Sequence, residues 1–284
     1  MNDGAPSARA GWFEGIDPGD VDSASEAITD GEAEAPRDWP AVAVESGFAD
    51  SEAEYYERLR EATLNATREE VRERERADDK QLVHAVRAMD DAERTANELA
   101  ERLSEWAGTL FEDADVGVDG ARAVADREPE TPLEERVVSF AGRIADLADE
   151  RDDLRAFVES RAPAVAPNLA EMAGPVLAAR LVALAGGLES LAKKPSGTVQ
   201  VLGAEDALFA HLKGRASSPK HGIIYVHDYV RGTHPDHRGS AARAFAGKLT
   251  IAARIDHYSG ELKPEVHEEL RERMETIRAR EVDE

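Results

Sequence analysis

The chain has 284 residues and a formal net charge of −24, with 59 acidic and 35 basic side chains. Its length predicts two or three structural units rather than a single core. The absence of cysteine excludes disulfides and thiolate chemistry. The sequence shows neither an apolar run long enough to cross a bilayer nor the pattern of a secretion signal, so we expect a cytoplasmic protein.

The charge is unevenly distributed along the chain. The acidic excess, with arginine far outnumbering lysine, predicts the solvated surface of a protein from a salt-rich, halophilic cytoplasm. An acidic protein from an ordinary cytoplasm fits the same composition. Residues 193–263, by contrast, hold eleven basic side chains and six acidic ones. A basic region in so acidic a chain predicts an anionic partner there, unless the excess is a chance one balanced by internal salt bridges.

Residues 1–50 predict a small N-terminal α/β domain with little apolar material for an independent core. Short apolar stretches favour two strands around a helix at 22–28: Trp12, Phe13 and Ile16 in the first strand, Val42 and Val44 in the second. The large aromatic residues of this segment are interpreted either as its core or as contacts for a partner: Trp12, Phe13, Trp39 and Phe48.

Residues 51–161 predict a helical, coiled-coil domain, beginning at a capping box formed by Ser51 and Glu54. Apolar residues then repeat every seven positions in two runs, which are separated by a glycine- and proline-containing connection at 112–131. This pattern predicts a long antiparallel hairpin, although two helices of an ordinary bundle would also produce it. The first run comprises Leu82, Met89, Ala96, Leu103 and Leu110 with Ala85, Ala92, Leu99 and Trp106; the second comprises Val137, Ile144 and Val158 with Phe140, Leu147 and Leu154.

Residues 162–260 form the next predicted domain. Pro163 and Pro167 are expected to end the preceding helix, and Gly174–Pro175 to begin a new one. The last core helix of this domain is predicted at about 236–257. Residues 261–284 predict a charged C-terminal helix that is exposed to solvent.

Two adjacent motifs stand out in the basic region. GAEDALFAHL, at 203–212, predicts a tight turn at Gly203 and an amphipathic helix, with Glu205 in the first turn, where the helix dipole favours negative charge. Phe209 is interpreted as a core residue rather than as a stacking platform. SPKHGIIY, at 218–225, predicts a loop that Pro219 makes rigid and Gly222 closes.

These motifs resemble the signature of the Nop domain. APNLAEMAGPVLAARLVALAGGLESLAKKPSGTVQ upstream and RGSAARAFAGKLTIAARID downstream are similar to its entry and closing helices, so the resemblance covers about 162–260. It is strongest to the archaeal scaffold proteins of box C/D RNA–protein complexes. The resemblance implies a mainly α fold with an all-helical C-terminal domain, and therefore little sheet at 198–202 and 223–226 despite their strand propensity.

The resemblance also implies partners. They are a box C/D guide RNA, a kink-turn-binding protein, and a fibrillarin-like methyltransferase that docks on the N-terminal domain, which is shorter here than is usual in the family. The coiled coil would pair with a second copy of itself through Leu82, Met89, Leu99, Leu103 and Trp106. The family's role is non-catalytic, directing ribose 2′-O-methylation during rRNA processing.

Enzyme and cofactor chemistry find little support in the residues themselves. TVQVLGAED superficially resembles a strand–glycine–helix nucleotide site, but it lacks the further glycines, and its acidic residues would repel phosphate. His227, His234 and His237 match no zinc spacing. We therefore expect no cofactor, no metal and no catalytic residues.

RNA binding is the stronger interpretation, because lysine and arginine supply phosphate contacts and loops supply base contacts. Lys220 and His221 are the predicted base-proximal residues. Alternatives are a stand-alone RNA- or tRNA-binding adaptor with a helical arm, or an enzyme in its own right. The predicted contact residues are Lys213, Arg215, Ser218, Lys220, His221, Arg238, Arg243, Lys248 and Arg254.

Overall fold

The computed structural model describes residues 11–31 and 37–279, which divide into two units at the bond between Ala77 and Asp78. Helices dominate both units, and the described residues contain no strand. The mainly α prediction is therefore confirmed. Within the same residues, no helix is both long and apolar enough to cross a bilayer.

Three helices build the first unit: α1 (Val21–Asp30), α2 (Trp39–Ser46) and α3 (Glu52–Arg76). The predicted capping box is present, since Ser51 Oγ accepts from Glu54 N at 3.2 Å and Glu54 Oε2 accepts from Asp50 N at 2.8 Å. Arg58 also donates to Glu54 at 2.5 Å. Two sets of donors thus fix the carboxylate at the start of α3.

The predicted α/β character of the N-terminal domain is wrong. Residues 12–15 form a turn, and Val42 and Val44 lie in α2. Asp38 caps α2, Pro40 occupies its first turn, and Gly47 ends it with a left-handed φ of 77°. These local helix signals outweigh the β-branched propensity of two valines.

An aromatic cluster forms the core of the first unit, which supports the core interpretation of Phe13 and Phe48. Both rings are buried and stack with centroids 4.8 Å apart, next to buried Tyr55. Trp12 is partly buried, and its Nε1 donates to Tyr55 Oη at 3.2 Å. Trp39 also packs against the cluster with part of its surface exposed.

The second unit begins with the predicted antiparallel hairpin, made of α4 (Asp78–Ala107) and α6 (Pro132–Val165). The end of α4 packs against the start of α6 in one apolar cluster, and Arg161 near the end of α6 pairs with Asp78 at 2.8 Å. The glycine- and proline-containing connection separates the two long helices as predicted, and it contains a short helix of its own, α5 (Gly117–Ala125), which packs on both of them. Gly117 starts α5 with a φ of 76°, which favours glycine.

The buried stripe of α4 follows the predicted heptad over most of its length. Leu82, Met89, Ala96 and Leu103 are buried at seven-residue spacing, as are Ala85 and Ala92. The last two residues of the second predicted row differ, since Leu99 is only half-buried and Trp106 is 39% exposed. Leu82, Met89 and Leu103, in contrast, are buried within the second unit. These three cannot be the predicted self-association contacts, because the chain's own helices already cover them.

Eight further helices and one 3₁₀ turn (Ile223–Val226) complete the described part of the second unit. In chain order the helices are α7 (Pro167–Ala173), α8 (Pro175–Ala185), α9 (Leu188–Lys193), α10 (Ser196–Val201), α11 (Glu205–Leu212), α12 (Asp228–Arg231), α13 (Arg238–Tyr258) and α14 (Pro264–Ala279).

Both stretches with strand propensity are helical, as the resemblance implied, and the last core helix lies close to its predicted place. Two further details differ from the predictions. Helix α6 continues for two residues beyond Pro163, which costs its last turn only one donor, and it ends at Val165, before Pro167. The C-terminal helix is not a solvent-exposed appendage, because Leu270, Met274 and Ile277 of α14 are buried in the main core.

Two polar contacts fix the ends of helices in this core. Asp79 Oδ2 accepts from Leu188 N at 3.0 Å, and Lys80 Nζ donates to Gly186 O at 2.6 Å, so the start of α4 holds the turn between α8 and α9. Buried Asp256 accepts from Asn168 N and Leu169 N, both at 2.9 Å, and thereby caps α7 from α13. Burial raises the pKa of Asp256, and its hydrogen bonds from Asn168 and Leu169 oppose the rise.

Candidate nucleic-acid interface

The loop at 218–222 is held tightly against the end of α10. Gly222 N donates to Gln200 O at 2.8 Å, and Ile223 N donates to Leu202 O at 2.7 Å. A Cβ at Gly222 would lie 1.9 Å from Leu202 O. Only glycine lets the two backbones come this close, which gives Gly222 of the SPKHGIIY motif a steric role.

The loop brings three of the predicted contact residues together around Tyr225. The ring of His221 stacks on that of Tyr225, with centroids 4.5 Å apart and 19° between the planes. The Arg238 guanidinium lies 5.6 Å from the centre of the same ring. Lys220 runs past the first turn of α13, where its Cδ would be 3.9 Å from a Cβ at Gly239.

Burial lowers the pKa of His221 from 6.5, and the positive charges of Arg238 and Lys220 lower it further, against a backbone hydrogen bond that raises it. The neutral ring is therefore the main form at pH 7. The cluster therefore presents two cations beside a neutral aromatic stack. Cations suit phosphate, and flat aromatic faces suit unstacked bases.

The helix of the first motif is more exposed than predicted. Gly203 turns the chain with a φ of 79°, and Glu205 Oε1 accepts from Gly203 N at 2.9 Å. No residue of α11 is buried, and the exposed fractions of Phe209 and Leu212 are 57% and 71%. The interpretation of Phe209 as a core residue is therefore wrong, because α11 stands outside the core.

The segment after α11 is an exposed turn. Gly214 adopts a φ of 69°, Arg215 N donates to Ala210 O at 2.8 Å, and His211 Nδ1 lies 3.0 Å from Ala216 O. Lys213, Arg215 and Ser218 are all exposed, so each is available to a partner.

The basic residues of α13 do not share one face. A step of five residues turns an α-helix by about 140°, so Arg238, Arg243 and Lys248 point in three directions. Arg238 Nε donates to Thr233 O at 3.0 Å, and Lys248 forms an ion pair with Glu269 on α14. Arg254 Nε donates to Ala192 O at 3.1 Å. Only Arg238 of this group joins the Lys220 cluster.

Sequence reasoning missed two residues of this site. Tyr225 lies four residues after His221, and that spacing could have indicated the stack. Gln200 is remote in sequence from the loop that it contacts, so no local signal points to it. The rings of His234 and His237 lie 6.2 Å apart, and the described residues offer no group of three potential metal ligands.

Comparisons with known proteins decide the family. The family model described as "Nop: snoRNA binding domain, fibrillarin" matches residues 73–278. The chain belongs to the Nop family. The match is wider than the resemblance, because it includes the hairpin and almost all of α14.

Nop-family relatives come from archaea and from yeast. An uncharacterized NOP5 family protein of Methanocaldococcus jannaschii is 34% identical over 274 residues, covering 84% of this chain and 66% of the relative. Nucleolar protein 56 of Saccharomyces cerevisiae is 39% identical over 162 residues, covering 56% of this chain and 32% of the relative. The chain thus spans about two thirds of the first relative's length and about one third of the second's.

A solved Nop-family structure agrees with the architecture. A chain in the crystal structure of a fibrillarin/Nop5p complex matches with a TM-score of 0.53 and 28% identity. The match covers 90% of this chain and 92% of that one, so it extends over both units.

Proposed function

We propose that this Nop-family chain is a non-catalytic scaffold of a box C/D guide RNA–protein complex that directs ribose 2′-O-methylation. The observation that carries the proposal is the cluster of Lys220, His221, Tyr225 and Arg238, in a chain whose family is described as snoRNA-binding. The end of its loop, at Ile223, packs against the turn that leads into the exposed α11. In an archaeal cell this assembly would work in the cytoplasm.

The two parts of this surface suit two partners. Lys220 and Arg238 would contact phosphates of a kink-turn RNA, and the His221–Tyr225 stack would face an unpaired base. Phe209 and Leu212 offer apolar area that RNA phosphates cannot use. They would pack against the kink-turn-binding protein, so that the surface recognises RNA and protein together.

The first unit would carry the methyltransferase. The solved relative is Nop5p in complex with fibrillarin, and the first unit exposes Val44, Tyr56 and Leu64 on α2 and α3. The methyltransferase would bind S-adenosylmethionine, whereas this chain would bind no methyl donor. Its contribution is positional, because holding enzyme and substrate together removes part of the entropic barrier.

Self-association would use the side of the hairpin that its own packing leaves open. The rings of Trp106 and Phe140 lie 6.4 Å apart, and both side chains keep solvent exposure. Leu99 and Leu147 are half-buried on the same two helices, and Leu133 is exposed one heptad before Phe140. A second hairpin could cover this apolar strip.

Reconstitution tests the scaffold. The chain, a kink-turn-binding protein, a fibrillarin-like methyltransferase and a guide RNA are mixed, and methyl transfer to a complementary RNA is measured. We expect transfer with the full set and none with this chain alone. Tyr56→Glu should abolish transfer and spare RNA binding, whereas Val71→Glu, at an exposed position near the end of α3, should spare both. RNA binding with no recruitment of a methyltransferase would favour the stand-alone adaptor instead.

A further inference from the structure

Gln200 holds the loop that carries Lys220 and His221. It is half-buried in the last turn of α10, twenty residues away from Lys220 in sequence. Its side-chain Nε2 donates to Lys220 O at 2.7 Å, and its main-chain O accepts from Gly222 N at 2.8 Å. One residue therefore grips the loop on both sides of His221.

The side-chain bond holds a stretch that no backbone pairing holds. Among the described residues, 218–221 make no backbone–backbone hydrogen bond, and the Gln200 amide donates to the main chain of this stretch. The loop beyond this stretch is fixed by Gly222 and Ile223, which pair with Gln200 and Leu202. The peptide of Lys220 thus takes its orientation from the Gln200 amide, and the Lys220 side chain leaves from that peptide.

We propose that Gln200 is a positioning residue for RNA binding, acting through Lys220 and His221 without touching the RNA. This inference rests on the proposed function. A loop already held in its binding conformation loses less conformational entropy when RNA binds. Without the amide donor, Lys220 and His221 would become ordered only when RNA binds, and the entropy lost in ordering them would lower the affinity.

Two variants isolate the donor. Gln200→Ala removes the amide and the stem, and Gln200→Met keeps the length of the stem but cannot donate. We expect each to weaken binding to a kink-turn RNA carrying its binding protein by about fivefold, the scale of one net hydrogen bond. Thr198→Ala, an exposed position on the same helix, is the matched control and should leave affinity unchanged.

A double-mutant cycle separates positioning from general destabilisation. In a Lys220→Ala/His221→Ala background, Gln200→Met should change affinity less than twofold, because the groups that it positions are gone. The slope of log Kd against log salt should fall in Gln200→Met by the same amount as in Lys220→Ala. If Gln200→Met weakened binding only by destabilising the fold, the slope of log Kd against log salt would not change.

The outcomes distinguish the two proposals. No binding of the wild-type chain to the RNA–protein pair would refute the proposed function itself. Wild-type binding with unchanged affinity in Gln200→Met would refute the role of Gln200 alone. An equal loss in the wild-type and double-variant backgrounds would also refute it, because Gln200 would then act independently of the loop.

Discussion

Lys220 leaves the rigid loop as an exposed cation next to a neutral histidine. Replacing it by alanine should weaken binding to the preformed RNA–protein pair about tenfold, as expected for a charge-assisted contact. The loss should persist near 1 M KCl, where the screening length is about 3 Å and only contact-range interactions survive. Gel shifts at several salt concentrations measure this loss of affinity, and Lys263→Ala is the control. Equal affinity of the two variants would show that Lys220 is not part of the site.

His227 makes stability depend on pH. Burial lowers the pKa of His227 from 6.5, with His267 and Arg278 adding to the effect and Asp228 opposing it. Its Nδ1 accepts from Tyr229 N at 3.2 Å, which requires the neutral ring. The folded state therefore binds fewer protons than the unfolded state, and stability should fall as pH decreases below about 6.5.

His227→Asn keeps an acceptor near the Nδ1 position and cannot titrate. We expect the midpoint of thermal unfolding to fall less between pH 8 and pH 5 in this variant than in the wild-type chain. Carboxylates titrate in both proteins, so their contribution to the pH dependence cancels when the two profiles are compared. Identical profiles would show that His227 does not contribute.

At the scale of elements, alanine substitutions at two glycines should change the stability of the second unit in opposite directions. Gly222→Ala places a methyl group 1.9 Å from Leu202 O, so it should destabilise the second unit by about 1–3 kcal/mol and displace the loop. Gly247, in the middle of α13, has nothing within 4 Å of an added Cβ, so Gly247→Ala should stabilise it by about 0.5–1 kcal/mol. Denaturant titrations measure both, and equal effects would contradict the described packing.

The burial of α14 predicts a clear stability effect. Leu270→Ala should cost about 2–5 kcal/mol, because the side chain is fully buried and its removal leaves a cavity. Leu262→Ala, at a half-exposed position just before α14, should cost less than about 0.5 kcal/mol. A small loss at Leu270 would restore the idea of a solvent-exposed appendage.

The hairpin and the last core helix could be predicted because their apolar periods run over many residues. The sequence could not show that Leu99 and Trp106, at the end of the same apolar pattern, would keep solvent exposure, because that depends on how α4 packs against α6. The many charged residues of α14 led to the prediction of a solvent-exposed helix, although Leu270 of this helix is buried in the core. The strand prediction at Val42 and Val44 rested on β propensity alone. The Asp38 cap and Pro40 favour the helix that forms there.

For the site, the sequence indicated the loop and its basic residues, because glycine, proline and charge are local signals. It could not indicate that α11 lies outside the core, since the same residues would suit a buried helix. Nor could it pair Gln200 with Lys220, because that contact depends on tertiary structure.

For the whole molecule, a net charge of −24 is the dominant feature. Self-repulsion of this size should destabilise the chain at low ionic strength, as expected for a protein of a salt-rich cytoplasm. We expect loss of helical circular dichroism on dialysis to low salt and recovery on addition of KCl, but not on addition of an uncharged osmolyte. Full helicity at low salt would contradict a halophilic origin.

The central claim is that one surface of the second unit recognises an RNA and its bound protein together. Gel-shift titration in concentrated KCl tests it most directly, with the kink-turn RNA alone and with the RNA already carrying its binding protein. We predict a supershift of the preformed pair and much weaker binding to either component alone. No supershift, or equal binding to the free RNA, would contradict the account.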